Sequence, residues 1–167
     1  MLFRSSDPDD SDNARSVGVL VTFGSFRFLD LGDLTWNVEQ KLVCPVNAIG
    51  TVELYQVTHH GMDVSNNPAL LASVKPHVAI MNNGPAKGGS PATYARLVAV
   101  PGLDAIFQVH RNMQSKDSDN TAPELTANLG AEAECTGNRI SVSVAAGGAT
   151  YTVTNGRTGQ SWSFNTR

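Results

Sequence analysis

Between residues 51 and 110 short apolar runs alternate with helices, each helix following a polar turn marked by glycine and opened by a capping residue and proline. VELYQVT (52–58) reads as a strand that runs straight into His59-His60-Gly61. Ser65, Asn66 and Asn67 offer caps for a helix over 69–74 whose first turn holds Pro68, and Lys75-Pro76 stops it. HVAIM (77–81) is a second strand, followed by the turn NNGPAKGG, and Ser90-Pro91 opens the next helix. Gly102 breaks that helix before a third strand, AIFQV (105–109). Strands alternating with helices in this way specify an α/β layer fold.

The flanks read differently. VGVLVTF (17–23) and FRFLDL (26–31) are apolar runs joined by Gly24-Ser25, the pattern of a hairpin. Thr35 or Asn37 caps a short helix over 37–43 that Pro45 stops. Residues 1–12 are polar and acidic and are expected to form a flexible N-terminus; 113–137, rich in Ser, Asp, Asn and Thr, is expected to be a loop or linker. ISVSV (140–144), TYTVT (150–154) and a last strand with Trp162 and Phe164 on one face form a small antiparallel meander over 138–167. An apolar face on the first two strands that lacks cover would favour homo-oligomers or aggregation.

Charge narrows the classes of function. Twelve Lys and Arg against fifteen Asp and Glu give a formal charge of −3, which argues against a nucleic-acid binder held by bulk charge. There is no apolar run long enough to span a membrane, and the first ten residues lack the apolar centre of a signal peptide. The default expectation is a cytoplasmic chain, or an extracytoplasmic one if an upstream signal has been lost. Cys44 and Cys135 are too few and too far apart for a disulfide framework.

Two turns place metal-competent side chains directly after an apolar strand: Leu31-Gly32-Asp33 and Thr58-His59-His60-Gly61. Carboxylate oxygen and imidazole nitrogen are donors that zinc, manganese and iron accept. Asp33 alone reads as a turn residue and the histidine pair alone as a solvated loop; both at strand exits, they make a candidate site. The turn NNGPAKGGSP, with Lys87 and the helix start at Ser90, is a second candidate, for a substrate anion, beside its plain reading as a connection. His110 leaves its strand much as His59 does and is a candidate for substrate contact. Asp63 is placed to orient an imidazole or cap the following turn, Asp30 to face the other side of its strand, and His77, at a strand start, reads as structural.

Residues 13–112 resemble the second half of a metallo-β-lactamase superfamily domain, closest to the hydrolase domains of competence-protein (ComEC) type. Asn13-Ala14-Arg15-Ser16, FRFLDLGD, VTHHGMDVS, KPHVAIMNNG and the helix at Ser90-Pro91 carry the resemblance, in the family's order. It implies an αββα sandwich with a metal site at one edge, Asp33 bridging two ions, zinc by expectation with manganese or iron as alternatives. One of His59 and His60 matches the last histidine ligand, and the motif leaves open which. The implied activity is hydrolysis of a phosphodiester or other ester, on a small-molecule or phosphodiester substrate, by a metal-activated water. Such domains begin with a histidine-x-histidine-x-aspartate-histidine run, whereas here no histidine precedes His59. The resemblance therefore implies a truncated form, inactive alone and a poor metal binder. The alternatives are a non-catalytic scaffold that has lost its metal, and a hydrolase of thioesters, lactones or β-lactams.

Overall fold

In the computed structural model, residues 9–167 are described apart from 132 and 134; residues 1–8 of the expected flexible terminus, and those two positions of the expected linker, lie outside the described residues. The chain is mixed α/β, with a six-stranded, mostly parallel sheet and a three-stranded antiparallel one. The first sheet runs in sequence order: β1 (Val19–Phe23), β2 (Phe26–Asp30), β3 (Leu54–Gln56), β4 (Val78–Met81), β5 (Ala105–His110) and β6 (Thr126–Asn128). β1 pairs antiparallel with β2, and every later pair is parallel. Three helices lie between strands: α1 (Trp36–Val43), α2 (Pro68–Val74) and α3 (Pro91–Val98).

Register and the two-residue period of a strand sort the side chains. Leu29, Tyr55, Ala79 and Ile106 align across four strands and pack with Val43, Leu70, Leu71, Val74 and Leu97 from the helices. One residue earlier, Phe28, Leu54, Val78 and Ala105 align on the opposite face. That face meets the second sheet, β7 (Ile140–Val144), β8 (Thr150–Asn155) and β9 (Ser161–Asn165). The Tyr151 ring lies 5.1 Å from Phe26 and 5.3 Å from Phe164, and Phe107 meets Trp162 edge-on at 5.3 Å. The layers are thus helices, large sheet, small sheet. Buried on both faces, β3 and β4 need the continuous apolar runs that mark them in the sequence.

The helix starts follow their caps. Asn67 accepts from the Ala69 amide at 2.8 Å and Ser90 from the Thr93 amide at 3.2 Å, each one residue before a proline. Thr35 is the N-cap of α1 but makes no side-chain cap bond; its hydroxyl donates to Asp9 instead.

The polar stretch 113–137 departs from the expected loop at β6, which joins the large sheet through Gln108↔Thr126 and His110↔Asn128. Its order comes from side-chain amides and not from an apolar face. Asn128 Nδ2 donates to Val109 O at 2.7 Å, and Asn120 accepts from the Asn112 amide at 2.8 Å. Consecutive exposed apolar side chains mark β1, where Val19, Leu20, Val21 and Phe23 are open, while Val17, Val46, Val64, Val98 and Met113 are exposed elsewhere; Phe26 and Leu29 of β2 are buried. No helix among the described residues is long and apolar enough to cross a membrane.

A polar latch joins the small sheet to the start of the parallel strands. Tyr151 donates its hydroxyl to Glu53 O at 3.2 Å, Arg167 donates to Val52 O and Lys75 O at 3.0 and 2.7 Å, and His77 lies 2.8 Å from Asp104. Glu53 O also accepts from the Val78 amide at 2.9 Å, so it keeps a partner when the phenol is removed. Tyr151→Phe is therefore expected to cost only about 1 kcal/mol, seen as a lower urea midpoint with an unchanged slope.

Candidate functional site

β2 and β3 are parallel neighbours, with Leu29 opposite Tyr55, so both leave the sheet at the same edge. The turn after β2 carries Asp33 and the turn after β3 carries His59 and His60; the His59 amide donates to Gly32 O at 2.9 Å and ties the turns together. Asp30 braces the first turn, accepting from the Gly32 amide at 2.9 Å and from Gln56 Nε2 at 3.0 Å. The Asp33 amide donates to Ser16 Oγ at 3.1 Å.

The histidine turn has an unusual backbone. His59 and His60 are both left-handed, with φ of 54° and 55°, a conformation that costs about 1–3 kcal/mol for each non-glycine residue. It brings both imidazoles to Asp33: His59 Nε2 stands 3.9 Å from Oδ2 and His60 Nε2 stands 3.7 Å from Oδ1. Each carboxylate oxygen thus faces its own imidazole.

Hydrogen bonds on the far ring nitrogens set the tautomers. His60 Nδ1 lies 2.9 Å from Asn82 O, an acceptor only, so Nδ1 carries the hydrogen. His59 Nδ1 lies 3.2 Å from Ser65 Oγ, whose single proton goes to Leu34 O at 2.7 Å, so here too Nδ1 donates. In the neutral rings both Nε2 atoms keep their lone pairs and point them toward Asp33. Asn13 Nδ2 approaches His59 Nε2 at 3.5 Å.

Lone pairs facing a carboxylate across 3.7–3.9 Å are too far apart for a hydrogen bond and are donors of the kind a divalent cation takes. The arrangement is two half-sites, one oxygen and one nitrogen each. Among the described residues no group of three His, Cys, Asp or Glu is gathered to hold a single ion. Each half-site falls short of the three protein ligands usual for a catalytic zinc.

The remaining sequence candidates take other places. Ser90 caps α3, and its amide donates to Gly61 O at 2.9 Å. The Gly89 amide donates to His60 O at 2.8 Å and the Gly84 amide to Lys87 O at 2.9 Å. These amides of the glycine-rich turn support the histidine turn and leave little of the expected anion cradle, with Lys87 exposed upon it. A Cβ on Gly88 would stand 2.1 Å from His60 O, so only glycine permits that approach. His110 is buried, with Nδ1 donating to Arg111 O at 2.8 Å, and with Asn82 and Asn83 it lines a cleft of about 820 Å³ between the sheets. Among the described residues no hydrogen bond or ion pair joins His110, Lys87 or Ser90 to Asp33. Asp63 is exposed, and Ser65, not Asp63, holds an imidazole.

Beneath the site lies a buried polar network. Glu39 of α1 is fully buried and accepts from the amides of Asn66 at 2.9 Å and Asn67 at 2.7 Å. Arg96 lies over the Trp36 ring, 5.0 Å from its centre, and donates to Ser65 O and Asn66 O at 2.8 and 3.1 Å. Trp36 Nε1 also donates to Ser65 O, at 2.7 Å. Burial, offset in part by the two amides, pushes the Glu39 carboxyl up to about 7, and burial lowers the Arg96 guanidinium. Sequence reasoning passed over Glu39, which sits among the polar residues of a short helix, and took Ser65 only as a cap.

No family model matches the chain. Recombination protein 2 of Haemophilus influenzae is 35% identical to it over 74 residues, which is 44% of this chain and 9% of that protein. The chain therefore spans less than a tenth of the length of that relative.

Glu39 couples this network to pH. Its carboxyl is protonated in both the folded and the unfolded chain below the ordinary value of 4.5, where its contribution is fully present. As pH rises from 4.5 toward 7 the unfolded chain ionises first, and stability falls by about 1.4 kcal/mol per pH unit, about 3 kcal/mol in all. Above that range the slope from this group vanishes. Urea unfolding at intervals between pH 4 and 8 should show the decline in the wild type, and Glu39→Gln should remove it.

Proposed function

We propose that this chain carries the second half of a metallo-β-lactamase-type αββα sandwich and serves metal-dependent hydrolysis of a phosphodiester or other ester. The observation that carries this reading is the pairing at Asp33. Each carboxylate oxygen faces one imidazole Nε2 whose ring is fixed by an Nδ1 hydrogen bond, 3.9 Å on the His59 side and 3.7 Å on the His60 side. The layer order, helices on a mostly parallel sheet with a second sheet beneath, is consistent with that fold. The partial likeness to a protein named for recombination favours a phosphodiester over a thioester, lactone or β-lactam.

In this reading Asp33, His59 and His60 are the residues that would hold divalent metal, zinc by preference. When bound, the metal supplies Lewis acidity and brings loss of a proton from the attacking water into the neutral range. The chain's own residues contribute orientation. Ser65 and Asn82 O keep the hydrogens on Nδ1, so both Nε2 atoms stay free as ligands, and Ser16 holds the Asp33 backbone. Asn13 beside His59 Nε2 is placed to donate to a substrate oxygen at the same edge.

Zinc titration followed by the imidazole nitrogen signals of both histidines, with bis(p-nitrophenyl) phosphate as the test substrate, examines the proposal. Both Nε2 signals should shift on adding zinc. Asp33→Asn should abolish those shifts and any turnover while leaving the melting temperature within a few degrees, because an amide cannot bridge two cations as a carboxylate does. Ser65→Ala should weaken zinc binding about 10- to 100-fold by freeing the His59 ring. Wild-type histidines indifferent to zinc would favour the metal-free scaffold, and Asp33→Asn binding zinc normally would remove Asp33 from the site.

A further inference from the structure

The Glu39 carboxyl has no part in the chemistry above, yet the bonds it makes reach the segment that holds His59. Its two oxygens take the amides of Asn66 and Asn67. Ser65, one residue earlier, holds His59 Nδ1. On the other side the hydroxyl of Thr58, the residue before His59, neighbours the same carboxyl.

Counting hydrogens shows what that neighbour requires. Asn66 Nδ2 donates to Thr58 O at 3.0 Å and Met62 O at 3.3 Å, so Asn66 Oδ1 is the acceptor for the Tyr55 hydroxyl at 2.9 Å. With its one proton so engaged, the Tyr55 oxygen must accept at its 2.6 Å contact with Thr58 Oγ1. The only hydroxyl proton of Thr58 therefore points to Tyr55, and its oxygen presents lone pairs to Glu39. A hydrogen bond between them needs a proton on the carboxyl. When Glu39 is ionised, the Thr58 hydroxyl can turn its proton to the carboxylate in place of Tyr55.

We propose that Glu39 is a positioning residue for His59, holding the turn at 65–67 through two backbone amides and switching the Thr58 hydroxyl between two partners as it gains or loses its proton. The link to metal rests on the functional reading above; the effect on the His59 ring does not. The groups that face Glu39 are Arg96 of α3 and Tyr55 of β3, with Asp63 acting on Arg96 and Asp30 on Tyr55. Burial outweighs them and sets the carboxyl at about 7, so near neutral pH both forms of the network are populated.

Nuclear magnetic resonance of the whole chain between pH 5.5 and 8.5 tests this without metal. The carboxyl carbon of Glu39, the amides of Asn66 and Asn67, and the Nδ1 signal of His59 are expected to share one inflection. In Glu39→Gln that inflection should vanish from the His59 signal. Zinc affinity, read by competition with a chelating dye, should be about tenfold weaker in Glu39→Ala than in the wild type. If Glu39 titrates with no response at His59 Nδ1, or if Glu39→Gln keeps the shared inflection, the proposal is overturned. Should the variants fail to fold, the wild-type titration alone decides, because donor and acceptor are observed in one sample. A shared inflection in a chain that takes no zinc would support the positioning role and overturn the metal-site reading instead.

Discussion

Two consecutive side-chain-bearing residues in left-handed backbone, His59 and His60, are the constraint around which this edge of the molecule is arranged. An extended chain beyond β3 would send successive side chains to opposite faces, and the two imidazoles would part. The left-handed pair folds the chain over so that both rings reach Asp33. About 1–3 kcal/mol of strain per residue must be offset by neighbours that fit no other arrangement. The His59 amide bonds Gly32 O, His60 O takes the Gly89 amide, and Gly61 O takes the Ser90 amide. Gly88 has no Cβ to strike His60 O. The glycine-rich turn after β4 is thus explained by the histidine turn that it supports.

The sequence showed clearly what depends on local chemistry. Buried parallel strands need uninterrupted apolar runs, so β3, β4 and β5 appear where those runs lie, β3 and β4 shortened by a residue or two at the ends and β5 longer by one. Asn67 and Ser90 cap as their positions before proline require. Parallel strands must turn at the same edge, which is why Asp33 and the histidine pair were readable as one site. What stayed hidden depends on contacts between distant segments. β6 has three residues and no apolar alternation, and it is held by asparagine side chains and by pairing with β5. Thr35 sits in a cap position, but Asp9 takes its hydroxyl. Glu39 reads as a surface carboxylate on a short helix until the fold brings the amides of residues 66 and 67 onto it.

The two edges of the large sheet divide the work. At the strand starts, Tyr151, His77 and Arg167 fasten the small sheet to the backbone of β3 and its neighbours, and those bonds hold one layer on another. At the strand exits, the polar contacts hold Nδ1 of each imidazole and turn Nε2 toward Asp33. This contrast separates the two histidine clusters. His77 has both ring nitrogens near acidic partners, Glu53 and Asp104, whereas His59 and His60 each have one nitrogen tethered and the other turned to Asp33 across a gap. The ring engaged at both nitrogens stabilises the fold; in the proposed reading His59 and His60, each held at Nδ1, present Nε2 to a metal.

An apolar core beneath the histidine turn would be simpler to build, and the buried carboxylate needs a reason. Apolar packing is non-directional, and the Ser65 hydroxyl must accept from one ring nitrogen while it donates to one carbonyl. Hydrogen bonds supply direction only where every donor and acceptor is matched, since an unmatched buried group costs more than a matched one contributes. Glu39 meets that demand for Asn66 and Asn67, Tyr55 meets it for Asn66 and Thr58, and Arg96 with Trp36 meets it for Ser65 O. With its donors and acceptors matched in this way the turn at 65–67 is held in place, and the position of the His59 ring follows from it. A network so fully counted is also one in which a single added or removed proton must be answered by a rotation elsewhere. The hydroxyl free to rotate in response belongs to Thr58, next to His59.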